Sequence, residues 1–199
     1  MIKKLLISVA LCMLTSSVAW SNNDKDVATV LFDSNEYFYR WSGEDLHEFT
    51  PGEQSVTSDW KDMLTINHFA DVSAPEELTI LARDVLENYK ANGGIVLGVD
   101  TLQQKGSQPA QYIMAVVFGA HEVAEYAVVR FQIQDGIGTS ITYAHREYGE
   151  EVGERINSWM EANGLRIRQE ITGLRDLPAY SEFRSEGKYE YLNELQQSI

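Results

Sequence analysis

Residues 111–148 read QYIMAVVFGAHEVAEYAVVRFQIQDGIGTSITYAHREY, and their residue pattern is the main indication of the fold class. In its middle part every second residue is apolar, and these residues are Ala127, Val129, Phe131 and Ile133. A period of two is typical of a β-strand. The dipeptide Asp135-Gly136 is a strong signal for a two-residue hairpin turn. We therefore expect strands at 111–119, 124–134 and 139–148 that fold back on one another as antiparallel neighbours.

Two helices are predicted on either side of this region. The segment 75–91 has apolar residues at spacings of three and four, and Gly93-Gly94 follows its last turn, which predicts a helix with one buried face. The segment 150–162 has the same spacing, and Asn163-Gly164 predicts its end. We expect these two helices to cover the sheet.

Further strands are predicted nearer the N-terminus and just before residue 111. Runs rich in aromatic and branched residues at 28–34 and 36–42 indicate a strand pair or ribbon, and the segments 46–51, 60–69 and 94–102 are also typical of strands. The prediction is a single α+β domain over 20–199, in which a meandering antiparallel β-sheet at 94–148 is covered by two main helices. Residues 165–180 are ambiguous, with a short helix as one alternative, and no structure is predicted for the polar tail from about residue 181.

The first 19 residues have the pattern of a secretory signal peptide. Two lysines precede an apolar run from Leu5 to Leu14. The small residues Ser17 and Ala19 occupy the positions before the cleavage site that signal peptidase recognises. The apolar run is shorter than the roughly 20 residues that a permanent membrane anchor needs. We expect cleavage after Ala19 and a bacterial protein that is periplasmic or secreted, with no stable membrane anchor.

The composition that remains after cleavage excludes several kinds of site. Cys12 is the only cysteine, and it follows Leu11 rather than the small residue that lipid attachment requires. The mature chain therefore has no disulfide, thiolate nucleophile or cysteine-ligated zinc. Loss of Lys3 and Lys4 lowers the formal net charge from −14 to −16. Because so acidic a chain repels phosphate backbones and has no basic stripe, we expect no nucleic-acid partner.

The stretch GAHEVAEY, residues 119–126, contains part of a zinc-hydrolase motif. His121 and Glu125 have the spacing of two zinc ligands one turn apart on a helix. However, only about seven residues separate the two flanking strands, which is too few for a helix that presents both side chains. A connecting turn between antiparallel strands is therefore the preferred interpretation, and a His121/Glu125 metal pair is the alternative.

Polar and titratable residues gather at the ends of predicted strands, where functional loops are common. Six of them form a candidate binding patch: His47, Glu48, Arg130, His145, Arg146 and Tyr148. If strand pairing brings Arg130 close to His145, a small site with a base, a cation and a phenol results. The alternative is two solvated strand ends in which Arg146 is bridged to a carboxylate. We assign no catalytic residue, cofactor or metal ligand.

The aromatic run at 37–41 also has two interpretations. Tyr37, Phe38, Tyr39 and Trp41 either stack on a sugar or peptide from an exposed face or belong to the core. Aromatic residues in strands are more often part of the core, so that interpretation is preferred.

Three sequence segments resemble those of a group of secreted proteobacterial proteins to which no function is assigned. They are YRWSGEDLHEFTP (39–51), WKDMLTINHF (60–69) and AHREYG (144–149). The order of a strand, a helix, several antiparallel strands and a final helix is similar to that of the PsbP-like α/β/α sandwich. That resemblance implies an accessory subunit without enzymatic activity, because members of this fold often have that role.

The sequence contains no nucleophile elbow, phosphate-binding loop or dinucleotide fingerprint. We therefore expect an exported, non-enzymatic binding or accessory protein whose partner is a protein or a small molecule, with no cofactor. The alternative is a periplasmic hydrolase that uses His145 or the His121/Glu125 metal pair.

We predict that the exported protein begins at Trp20, because signal peptidase cleaves after the small residue Ala19. Mass spectrometry of protein recovered from the periplasm or medium of a bacterial host measures this directly. An exported chain that retains residues 1–19, or a chain that stays in the cytoplasm, would contradict the predicted signal.

Overall fold

Eight strands form one antiparallel sheet in the computed structural model, which describes residues 29–43, 45–52, 54, 59–103, 109–120 and 122–184. The strands are β1 (Thr29–Phe32), β2 (Asn35–Gly43), β3 (Leu46–Pro51), β4 (Asp62–Phe69), β5 (Ile95–Leu102), β6 (Gln111–Ala120), β7 (Val123–Gln134) and β8 (Ile137–Tyr148). Their order across the sheet is β1-β2-β3-β4-β8-β7-β6-β5. The predicted signal peptide and residues 185–199 of the predicted tail lie outside the described residues.

Three helices cover the two faces of this sheet: α1 (Pro75–Ala91), α2 (Val152–Gly173) and α3 (Tyr180–Arg184). Helix α1 packs on β5, β6 and β7, and we call this side of the sheet the α1 face. Helix α2 packs on β7 and β8 from the opposite side, which we call the α2 face. Helix α3 lies on the α2 face over β2 and β3, where the Phe183 ring contacts Tyr39 and Phe49. No helix in the described part of the chain is long and apolar enough to cross a membrane.

The sheet consists of two four-stranded meanders that meet in the middle. Strands β1 to β4 run up and down in chain order, and α1 then carries the chain to the far edge, where β5 begins. Strands β5 to β8 return toward the middle, and β8 pairs with β4 over eight residue pairs, from Asp62↔His145 to Phe69↔Gly138. This pairing makes one continuous sheet from segments that are distant in the sequence.

Alternation along the strands gives each face its own apolar core. On the α1 face, the buried residues of the helix contact buried residues of β6, β7 and β8, among them Val85, Met114, Val129 and Phe131. On the α2 face, Ile156, Ile167 and Ile171 pack over Val128, Ile141 and Tyr143. Because both faces are covered in the centre, β7 is buried along nearly its whole length.

The predicted α+β class and most of the predicted elements are confirmed. Helix α1 spans the predicted residues 75–91. Asp135 and Gly136 have φ angles of 53° and 80°, the positive values that a two-residue hairpin turn between β7 and β8 requires. Ala120 pairs with Val123, so β6 and β7 are joined by a short connection, as the preferred interpretation of residues 119–126 expected.

Two predicted boundaries were wrong. The sheet is not confined to 94–148, since the N-terminal strands continue it through β4. Helix α2 does not end at Asn163-Gly164 but continues to Gly173. Gly164 lies where α2 approaches the sheet closely, and a Cβ atom there would stand 3.6 Å from the Tyr126 hydroxyl. The apolar spacing also continues beyond it with Ile167 and Ile171, and their burial outweighs the low helix propensity of one glycine.

We predict that Ile171→Ala lowers the free energy of unfolding by about 2–4 kcal/mol, because Ile171 is fully buried and its truncation leaves a cavity. Leu165→Ala is the matched control, since Leu165 lies on the same helix but is 73% exposed, and it should change stability by less than about 0.5 kcal/mol. Urea unfolding followed by circular dichroism measures both. Equal effects of the two substitutions would show that α2 does not extend past Gly164 as a packed helix.

Candidate functional site

The six residues of the predicted binding patch do not lie together. Neighbouring residues in a strand point to opposite faces, so the patch is divided by the sheet. His47, Arg130 and His145 lie on the α2 face, where they contact residues of α3 or α2. Glu48, Arg146 and Tyr148 lie on the α1 face. On the α2 face itself, Arg130 pairs with Ile141 and His145 pairs with Tyr126. Four residues along a strand separate these positions by about 13 Å, so the expected proximity of Arg130 to His145 is absent.

Arg130 is fully buried and holds the C-terminal end of α2. Its guanidinium donates hydrogen bonds to the carbonyl oxygens of Thr172, at 2.9 Å, and Leu174, at 2.7 Å. These carbonyls lack partners within the helix, and a cation at this end of a helix is favourable. Arg130 therefore has a structural role that accounts for its position.

His47 lies in an aromatic cluster beneath α3. The Phe183 ring stacks on the imidazole with centroids 3.9 Å apart, and the ring of His68 is 5.4 Å away. Within the described residues, neither ring nitrogen of His47 has a hydrogen-bond partner. Burial and the neighbouring His68 lower the pKa of His47 to about 4. The imidazole is therefore neutral at pH 7 and acts as part of the core.

His145 is held between two carboxylates and an indole ring. Its Nδ1 lies 2.9 Å from an Asp62 oxygen, and its Nε2 lies 3.2 Å from a Glu147 oxygen. Trp159 of α2 stacks on the imidazole at 4.0 Å with an interplanar angle of 7°. Because both nitrogens and one ring face are engaged, the main effect of His145 is to fix the carboxylate of Asp62.

Asp62 lines a polar cleft of about 540 Å³ between α2 and the strands of the N-terminal meander. The β1–β2 turn and the end of β3 form one wall, and α2 forms the other. The lining residues are Asp33, Asn35, Tyr37, Pro51, Gly52, Gln54, Asp62, Tyr143, Trp159, Asn163 and Arg166. Most of these side chains are polar and planar, so this cleft is the candidate functional site.

Hydrogen bonds fix the groups around Asp62. The Tyr143 hydroxyl donates to the same carboxylate oxygen as His145, at 2.5 Å. Burial alone would raise the pKa of Asp62, but hydrogen bonds from His145 and Tyr143 lower it below its usual value. Asp62 is therefore ionised at pH 7. At the rim of the cleft, Arg166 forms an ion pair with Asp33, and this contact ties α2 to the β1–β2 turn.

The remaining predicted residues that the structure describes lie on the α1 face. Glu125 is a residue of β7 rather than of a helix, and the Arg146 Nε donates a hydrogen bond to its carboxylate at 2.6 Å. His121, the other member of the alternative metal pair, lies outside the described residues. Across the described ranges, no three His, Asp or Glu side chains converge as a metal site requires. The Tyr148 hydroxyl donates to the backbone carbonyl of Trp60 at 2.8 Å.

Sequence reasoning missed most of the residues that line the cleft. Trp159, Asn163 and Arg166 are spaced by four and three residues, so they share one face of α2. This spacing was a usable signal, but the helix was expected to end at Asn163. Asp62 opens a strand whose next residues on the same face are Leu64 and Ile66, and a polar residue at a strand end carries little information by itself.

No family model matches this sequence, and no curated protein matches it. Among solved structures, the chain is similar to the Ran-binding protein Mog1p of Saccharomyces cerevisiae, with 10% sequence identity and a TM-score of 0.43. The match covers 74% of this chain and 94% of that chain. None of these comparisons identifies the group of secreted proteobacterial proteins that the three sequence segments resemble. That resemblance stays a hypothesis.

We predict that stability falls as the pH drops from about 6.5 toward 4, and that His47→Phe removes part of this loss. The folded-state pKa of His47, about 4, lies below the ordinary value near 6.5, so the unfolded chain binds a proton that the folded chain does not. On going from pH 7.5 to pH 4.5, the free energy of unfolding of wild type should fall by on the order of 1–3 kcal/mol more than that of His47→Phe. His68, whose pKa is also lowered by burial, keeps some of the dependence in the variant.

Urea unfolding midpoints of both proteins at pH 7.5 and 4.5 measure this effect. Groups such as Asp62 titrate in both proteins, so their contributions cancel in the comparison. An identical loss of stability in wild type and His47→Phe would contradict a neutral, buried His47.

Proposed function

We propose that this chain is an exported, non-enzymatic binding protein that holds an uncharged, polyhydroxylated ligand such as a sugar in the polar cleft of the α2 face. The observation that carries the proposal is a cleft of ligand size whose walls are polar, planar side chains beside an indole ring. Export rests on the signal-peptide pattern of residues 1–19 and on the acidic, cysteine-free composition of the rest.

The size of the cleft suits a small molecule. Sites for small ligands commonly enclose about 300–1,000 Å³, and the volume here is about 540 Å³. A mono- or disaccharide fits within that range, whereas a folded protein domain does not.

The groups that line the cleft suit hydroxyl groups. Asn35, Gln54 and Asn163 carry side-chain amides, and Asp62 has a carboxylate, so donors and acceptors are close to one another. Trp159 adds a half-buried apolar ring against which the carbon face of a sugar can lie. Tyr37 also borders the cleft, but it is buried together with Tyr39 in the core of the α2 face, so these two residues of the aromatic run at 37–41 belong to the core.

The charge of the cleft disfavours anionic ligands. The charged residues of the described lining are two carboxylates, Asp33 and Asp62, and one guanidinium, Arg166. An anion entering the cleft would meet a net negative charge in a partly desolvated space. A neutral ligand meets no such penalty and gains hydrogen bonds to ionised groups, which are the stronger kind.

The position of Asp62 is set before any ligand arrives. His145 and Tyr143 both bond its carboxylate, and Gln54 accepts hydrogen bonds from the backbone N–H groups of Lys61 and Asp62 at 2.8 and 3.1 Å. Trp159 in turn stacks on His145. A preorganised site loses little conformational entropy on binding, which favours affinity.

The resemblance to a group of secreted proteobacterial proteins and to PsbP-like accessory subunits is part of this proposal. It is consistent with a role in which the chain presents or carries a ligand rather than transforms it. Both nitrogens of His145 are engaged by carboxylates, so it is poorly placed to act as the general base of the alternative hydrolase.

We predict that a neutral sugar shifts the indole N–H resonance of Trp159 in a ¹⁵N NMR titration and leaves that of Trp60 unchanged. Trp60 lies on the α1 face and serves as an internal control. The panel consists of monosaccharides, disaccharides, amino sugars and a sugar phosphate, and the sugar phosphate should bind most weakly.

Asn163→Ala should lower the affinity for the best-binding sugar by several-fold, because it removes one neutral hydrogen bond. Asn157→Ala is the matched control, because Asn157 is on the same helix and exposed to solvent. The absence of any shift at Trp159 over the whole panel would contradict the proposal. Turnover of a bound sugar would favour the periplasmic hydrolase instead.

A further inference from the structure

The α1 face carries a second concave site, which the cleft on the α2 face does not explain. Helix α1 covers only the β5–β7 side of the sheet, and a narrow slot remains between the helix and strands β3, β4 and β8. Aromatic and aliphatic side chains line most of it, including Trp60, Val85, Tyr89, Phe118 and Phe131. The charged residues of its described lining are Glu48, Glu125 and Arg146.

Glu48 is the unusual group in this slot. It is partly buried, and no hydrogen bond joins its carboxylate to any described residue. Burial in a mainly apolar slot raises the pKa of Glu48 to about 7, and the nearby Arg146 offsets only part of that effect. A carboxylate that is partly withdrawn from water and has no hydrogen-bond partner is costly, and groups with a pKa shifted by burial are common at functional sites.

The one cation in the described lining of the slot, Arg146, is shared between Glu48 and Glu125. Arg146 donates to Glu125 at 2.6 Å and lies over the Trp60 ring at 4.0 Å. This pair is close to neutral as a unit. Tyr89 and Tyr148 also face this region, and burial raises the pKa of both hydroxyls, so they are uncharged at neutral pH. Ionised Glu48 therefore gives the slot one net negative charge.

The volume of the slot limits what can enter. It is about 70 Å³, several times the space that one water molecule needs and far below that of a drug-sized site. A small cationic group on a narrow alkyl stem matches both the volume and the charge. The rings of Tyr89 and Phe118, in an edge-to-face arrangement at 5.4 Å, offer apolar and π surface to such a stem.

We propose that this slot binds a primary ammonium group on an unbranched alkyl chain, with Glu48 as its counter-ion. Two sources supply this chemistry: a free aliphatic amine and the side chain of a lysine on a basic protein partner. The acidic surface of the chain attracts either one. The proposal is independent of the sugar cleft, because the two sites lie on opposite faces of the sheet.

The first test is an NMR titration of the purified protein with n-butylamine and with n-butanol, its neutral counterpart. The amine should shift the Trp60 indole resonance and leave Trp159 unchanged, and the alcohol should bind at least tenfold more weakly. Amine affinity should rise about tenfold between pH 6 and pH 8, because Glu48 ionises over this range while the amine stays protonated. Equal binding of the alcohol, or affinity that does not change with pH, would overturn the proposal.

The second test uses substitutions. Glu48→Gln keeps the shape of the side chain and removes its charge, so amine binding should fall at least tenfold and lose its pH dependence. Glu36→Gln is the matched control, since Glu36 is an exposed carboxylate on β2. Unchanged amine binding in Glu48→Gln would overturn the assignment. The pH dependence in wild type remains decisive if the variant does not fold.

Two capped lysine probes distinguish the sources. Nα-acetyl-lysine methylamide and a tripeptide with lysine in the middle are titrated beside n-butylamine. Binding of all three supports a lysine side chain as the occupant, and binding of n-butylamine alone supports a free amine. Failure of every amine to shift Trp60 contradicts the slot proposal and leaves the result at Trp159 unaffected.

Discussion

The pairing of β4 with β8 joins the two halves of the sheet and thereby determines how the helices pack on it. Its eight residue pairs join segments about 70 to 83 positions apart in the chain, from Phe69↔Gly138 to Asp62↔His145. Each half of the protein alone is a four-stranded meander with a free inner edge, which exposes unpaired backbone groups. The β4–β8 ladder satisfies those groups and creates a sheet wide enough for α2 and α3 to cover one side together.

The same ladder determines where the chemistry lies. It places Asp62 opposite His145, and this contact fixes the carboxylate at the base of the cleft. Because successive residues of a strand alternate between faces, Arg146, the next residue after His145, points into the slot on the other side. The one sheet therefore carries two candidate sites of different character, a wide polar cleft and a narrow, mainly apolar slot with one net negative charge.

Local periodicity was sufficient to predict most elements of this fold. The alternation in 124–134 and the Asp135-Gly136 turn predicted the β7–β8 hairpin, and the three-four spacing of 75–91 predicted α1. These signals are local, since each depends on residues within one segment. The β4–β8 pairing depends on residues far apart in the chain, so no single segment indicated it. The end of α2 was missed because Asn163-Gly164 resembles a stop, while the burial of Ile167 and Ile171 that overrides it is a tertiary effect.

The candidate site was harder to predict for the same reason. His145 and Arg146 were recognised as neighbours in sequence, but their separation onto two faces follows from the pleat and divides the expected patch. Asp62 and Trp159 acquire their roles only through contacts with His145 across the sheet and from the helix. A sequence pattern can indicate that polar residues end a strand, but it does not show which distant residue stands opposite.

The most direct test of this account is a set of cross-strand nuclear Overhauser effects between β4 and β8. We expect short contacts between backbone protons of Met63 and Ala144, and of Thr65 and Thr142, since these residues are directly paired. Contacts within the β7–β8 hairpin serve as the internal reference. If the hairpin contacts appear and the β4–β8 contacts are absent, or connect residues in another register, then the single sheet is contradicted, and the cleft and the slot with it.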